Sequence, residues 1–138
     1  MTVETVVVQG ANRKEELCVL MAEYFRLEGC NDVRADAPGY LPPEKIVGSI
    51  KDHAPALTCR RNDARGTAVL LDTLLVEGGA VDLAEVVSRL QLFASAVQAI
   101  GGELHLVVPE RVGGCDGEEL ARALLKRLGL TANKIWTL

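Results

Sequence analysis

The sequence predicts an α/β domain of three layers, a mixed β-sheet flanked by helices. Three observations lead there. Apolar residues recur at helical spacing in three separate stretches, and short β-branched or apolar runs lie between them. Two of those runs are joined by a short turn, while others are separated by a whole helix. Hairpin-joined strands are antiparallel and helix-linked strands favour parallel neighbours, so the sheet should be mixed. With 138 residues, 49% of them apolar and 25% charged, the chain suits a single domain over 1–138.

The run 5–8 reads as a strand that ends at Gln9-Gly10. Asn12 and Glu15 then spell a capping box, and Leu17, Leu20, Met21, Tyr24 and Phe25 share one face of a helix that Gly29 stops. Residues 31–36 read as a brief strand. Ala37-Pro38-Gly39 and Pro42-Pro43 exclude regular structure after it, and 46–50 reads as extended. Ala56-Leu57-Thr58-Cys59-Arg60, a turn around Asn62-Asp63-Ala64-Arg65-Gly66 and the run 67–76 make a hairpin. Its second strand is apolar enough, at Ala68-Val69-Leu70-Leu71, to be covered on both faces. Asp72 is out of keeping with that run.

Gly78-Gly79 ends the strand. Asp82 and Glu85 spell a second capping box, and Leu83, Val86, Val87, Leu90, Ala94 and Val97 mark a helix closed by Gly101-Gly102. Residues 104–108 read as a buried strand stopped by Pro109. Asp116 and Glu119 cap a third helix, with Leu120, Leu124 and Leu128 as its stripe and Gly129 at its end. The last strand, 134–138, carries Trp136 and offers an edge for self-association unless Trp136 packs in the core.

A formal charge of −4 and a pI of 5.2 argue against holding nucleic acid mainly through phosphate contacts. Lys51, Arg60, Arg61 and Arg65, gathered around the expected hairpin, are the nucleic-acid-binding candidates if they form one face, and guards of a strand edge if they do not. No apolar run approaches the ~20 residues of a membrane span, and residues 1–4 lack the basic start of a secretion signal. Cys18, Cys30, Cys59 and Cys115 form no C-x-x-C pair and have no histidine at zinc-ligand spacing. The expectation is a cytoplasmic protein with reduced thiols, no metal clip and no membrane partner.

The stretch around Gly10 suits an anion at a helix N-terminus, with Arg13 and Lys14 nearby, yet it has one of the three glycines of a dinucleotide fingerprint, and no P-loop occurs. His53 and His105 sit in no nucleophile signature, and G-x-S-x-G is absent.

The region from Gly39 to Pro109 resembles a family. Tyr40-Leu41-Pro42-Pro43-Glu44-Lys45-Ile46-Val47-Gly48, His53-Ala54-Pro55-Ala56-Leu57, Val69-Leu70-Leu71-Asp72-Thr73-Leu74, Asp82-Leu83 leading to Ser88-Arg89-Leu90-Gln91-Leu92-Phe93, and Leu104-His105-Leu106-Val107-Val108-Pro109 stand in an order similar to the PD-(D/E)xK, restriction-endonuclease-like nuclease superfamily. The resemblance implies a core of helix, hairpin, helix and strand, with a C-terminal helix and strand added. It also implies magnesium held by converging carboxylates, with a lysine that helps to orient water.

Carried over residue by residue, Pro55-Ala56 stands at Pro-Asp, so a methyl group replaces the principal carboxylate. Asp72-Thr73-Leu74 stands at Glu-x-Lys and replaces lysine by leucine. Asp72, with Gln91 and Glu16 at positions resembling accessory ones, are vestigial catalytic candidates. A shifted register adds Glu77 and Asp52 to Asp72 as metal candidates and restores no lysine.

The resulting expectation is a non-catalytic, nuclease-like domain that works by binding, as an accessory to a protein partner or to a second copy of itself. An active magnesium-dependent nuclease with displaced ligands and a small-molecule or nucleotide-binding domain are the alternatives. For Asp72 the plain alternative is a strand residue satisfied by a neighbouring amide or by Arg61; for Gln91 it is a solvent-facing helix position.

Overall fold

The helical stripe of Leu17, Met21 and Phe25, with Cys18 and Ala22 beside it, packs onto a sheet in the computed structural model, which describes residues 13–74 and 83–137. This helix, α1 (Arg13–Leu27), ends as the sequence predicts. Gly29 turns left-handed at φ 86°, its N–H donates to the Arg26 carbonyl, and the Cys30 N–H donates to Phe25.

The chain continues through β1 (Asn31–Ala35), β2 (Leu57–Arg60), β3 (Ala68–Thr73), α2 (Leu83–Ile100) and β4 (Glu103–Val108). A small hairpin, β5 (Arg111–Val112) and β6 (Cys115–Asp116), leads into α3 (Gly117–Leu128) and β7 (Lys134–Thr137). The main sheet has five strands in the order β1-β2-β3-β4-β7. The pairs β1/β2 and β2/β3 are antiparallel, and β3/β4 and β4/β7 are parallel, which is the mixed sheet that one tight hairpin and two helical crossovers dictate.

Strand alternation sorts the core into two halves. Val69, Leu71 and Val107 point to α1 with Leu57 and Cys59, whereas Leu70, Leu104, Leu106 and Val108 point to α2 and α3. Leu90, Phe93 and Val97 on α2 and Ala121 and Leu125 on α3 close the second half. The continuous apolarity of β3 is thus explained by cover on both faces. By length and composition alone α2 is long and apolar enough to cross a membrane, a test that the core helix of a soluble domain also passes. Here its Leu90, Phe93 and Val97 are buried.

The α3 caps are those predicted. Asp116 accepts from the Glu119 N–H at 2.9 Å, and Gly129 takes φ 69° while donating to Lys126. The segment 46–50 departs from expectation. Instead of a strand it makes an isolated bridge, Ile46 to His53, with backbone bonds of 2.7 and 3.1 Å. Trp136 is neither exposed nor fully buried: it packs beside the α1 half of the core and meets the Tyr24 ring edge-on at 4.9 Å. The expected strand 5–8, the Gly10 turn, the Asn12 and Asp82 caps, and Glu77 lie outside the described residues.

Candidate functional site

The antiparallel register Leu57↔Leu71 carries on to set Ala56, just ahead of β2, near Asp72 on β3. Asp72 lies between Leu70 and Leu74 on the α2 face and is only 2% exposed. Arg89 is the only basic residue of α2 and immediately precedes the buried Leu90, so the helix turns it inward. Its Nε donates to Asp72 Oδ2 at 3.0 Å and its Nη2 to Oδ1 at 2.7 Å, a two-bond fork. Nη2 also donates to the Ala54 carbonyl at 2.9 Å, and the guanidinium lies 5.3 Å from the Phe93 ring centroid. Burial opposes the charge on Arg89 more than any single contact favours it, but the hydrogen bonds to Asp72 together with the nearby carboxylate charges of Asp72, Glu85 and Asp36 raise the arginine pKa on balance.

This arrangement does not fit magnesium. Both oxygens of the surviving carboxylate accept from a guanidinium, which would repel a divalent ion placed between them. Ala56 and Leu74 bring no ligands. Among the described residues no group of three His, Cys, Asp or Glu side chains is placed to hold a metal.

The other candidates do not converge on Asp72. Glu16 is exposed on α1, in the layer across the sheet. Gln91 is exposed on α2 and lines a separate groove. Asp52 is exposed in the loop before β2, where it accepts from the Gly48 N–H at 3.0 Å. Arg61 is not the partner of Asp72. It pairs with Glu103 through bonds of 3.2 and 2.9 Å, beside Phe25 of α1.

The basic residues are also parted. Lys51 bonds Glu85 at the start of α2, whereas a Cβ on Gly101, past the other end of α2, would come within 2.7 Å of Arg65 Nη2. An 18-residue helix spans about 27 Å, so the four cations do not form one patch. Arg60 is tied to the Gly66 carbonyl of its own turn.

Two polar clusters escaped the sequence reading. On the α2 side, His53 is 3% exposed, and its Nε2 lies 2.9 Å from Ser88 Oγ. Its Nδ1 is 3.8 Å from Glu85 Oε1, and Lys51 holds Glu85 Oε2 at 2.9 Å, which lowers the Glu85 pKa. The spacing of Glu85 and Ser88, three apart on one helix face, was the available signal.

On the α1 side, the Trp136 indole N–H donates to His105 Nδ1 at 3.0 Å. Indole is a donor only, so Nδ1 accepts, and the ring carries its proton on Nε2, which donates to Glu103 Oε1 at 2.9 Å. Burial lowers the His105 pKa, against the pull of Glu103. Glu103 is itself held below the usual carboxyl range, chiefly by Arg61.

No protein-family model, curated protein or solved structure matches the chain.

Proposed function

We propose that this chain is a catalytically degenerate nuclease-like domain that works by binding, as an accessory subunit to a protein partner or to a second copy of itself. The order α1, antiparallel β1-β2-β3, α2 crossover and β4 parallel to β3 supports a restriction-endonuclease-like core, with α3 and β7 as additions. Free thiols at Cys18, Cys30, Cys59 and Cys115 suit the reducing cytoplasm.

The observation that carries the reading is the Asp72–Arg89 fork. At the position where the superfamily pattern places a metal carboxylate, this carboxylate is neutralised by an arginine from α2 that is also tied to the backbone ahead of β2. Two-metal or one-metal hydrolysis of a phosphodiester needs carboxylate oxygens free to hold the metal and a metal with coordination positions open to water and phosphate, and an arginine fork supplies neither.

The test is cleavage of single-stranded, duplex and branched DNA and of RNA with magnesium or manganese, wild type beside Asp72→Ala. No cleavage by either protein is expected. Metal-dependent cleavage lost on substitution would overturn the proposal and restore an active nuclease.

A further inference from the structure

One residue away from each anchor of the Asp72–Arg89–Ala54 clamp, Ser88 and His53 meet across the interface between α2 and the loop ahead of β2. His53 is held there from several directions. Its backbone exchanges hydrogen bonds with Ile46, and its ring stands edge-on to Phe93 at 6.4 Å. Nδ1 stands 3.8 Å from the Glu85 carboxylate, which favours the tautomer with its proton on that side, and in that tautomer Nε2 accepts the Ser88 hydroxyl proton across 2.9 Å. Ser88 in turn lines a groove of about 670 Å³ whose apolar walls include Ile50, Leu83, Val87 and Leu92.

We infer that this groove is an acyl-ester site in which Ser88 is the nucleophile, His53 the general base and Glu85 the positioning residue. Gln91, one helical turn beyond Ser88 on the same groove, offers an amide N–H donor for the developing oxyanion. The apolar walls select an ester with an apolar acyl chain.

Ser88 Oγ attacks the carbonyl carbon while its proton passes to His53 Nε2. The carbon–oxygen bond to the alcohol then breaks, and His53 returns the proton to the departing alkoxide. Water opens the acyl-serine by the reverse relay: His53 takes a proton from water, hydroxide adds to the carbonyl, and the Ser88–acyl bond breaks with the proton returned to Oγ. The step needs no metal and is independent of the nuclease-like reading.

The test uses the whole chain with a chelator present, so that its outcome is distinct from that of the metal-dependent cleavage assay. A fluorophosphonate reagent is followed by intact and peptide mass, and p-nitrophenyl butyrate by phenolate release. One adduct at Ser88 is expected, absent in Ser88→Ala and slowed about a hundredfold in a folded His53→Gln variant. Glu85→Gln should move the pH profile of acylation, a readout that a purely structural role would leave in place. Wild-type protein that takes up no reagent, an adduct on another residue, or labelling of folded His53→Gln at the wild-type rate would each overturn the inference.

Discussion

Arg89 holds both carboxylate oxygens of Asp72 in a fork of 3.0 and 2.7 Å, joining the α2 layer to β3. Removing one member leaves a buried charge without its counter-charge. Arg89→Met should therefore cost about 3–5 kcal/mol in urea unfolding, and Asp72→Leu with Arg89→Met together should recover most of that loss. A double variant as unstable as the sum of the two singles would refute this account of the pair.

The His105 ring should make the fold acid-sensitive. Its folded pKa is lowered from 6.5 by burial, so the unfolded chain binds the proton more readily. The stability contributed by the neutral ring is fully present above pH 6.5 and is lost as pH falls through the lower folded value. Trp136→Phe removes the donor onto Nδ1, so the folded pKa should rise and the loss between pH 7 and 5 should shrink. Ring-proton NMR titration beside urea unfolding at both pH values checks this. Glu103 adds a second loss below its ordinary 4.5, in the same direction, as its bonds to Arg61 give way.

Gly117 and Asp116, adjacent at the start of α3, should respond differently to alanine. A Cβ at Gly117 would overlap the Pro109 carbonyl oxygen, so Gly117→Ala should cost about 1–3 kcal/mol by overpacking. Asp116→Ala loses only the cap bond to Glu119 and should cost about 1 kcal/mol. Thermal unfolding of the two variants distinguishes them.

Thiol chemistry should be confined to one position in the folded protein. Cys115 is exposed, whereas Cys18, Cys30 and Cys59 are buried. Burial pushes Cys18 up to about 11, leaving roughly one thiolate in a thousand at pH 8, and burial followed by the neighbouring Cys30 pushes Cys59 up further. An aromatic disulfide reagent should therefore react with one equivalent at once and with the other three only on addition of denaturant. Rapid reaction of all four would contradict this packing.

Elements with their own local chemistry were legible. The Asp116 cap, the Gly29 and Gly129 stops and the apolar run of β3 each follow from residues near in sequence. What escaped was tertiary. Nothing near Asp72 announces that its partner is Arg89, because the contact depends on how α2 lies over β3. The hint was compositional: a buried acid needs a cation, and α2 carries a single one. Likewise Arg61, just past β2, reaches across β3 to Glu103 at the start of β4, a contact that depends on the strand order and that the alternative of pairing Arg61 with Asp72 missed. The β5-β6 hairpin went unread because two-residue strands are too short to show a period.

The sheet's division into antiparallel and parallel halves has a kinetic consequence. Arg60 finds Ala68 across a short turn, but Val69 reaches Glu103 only after the whole of α2 has been threaded between them. Closing the shorter loop costs less entropy, so β2 and β3 should zip together early and wait for β4, with β7 joining after α3 has formed. In a φ-value study, conservative truncations in the hairpin would slow folding, whereas Ile135→Val would mainly speed unfolding. β3, with its four consecutive buried residues, would then spend the early part of each folding event with one bare edge, and the arrival of β4 behind α2 ends that exposure.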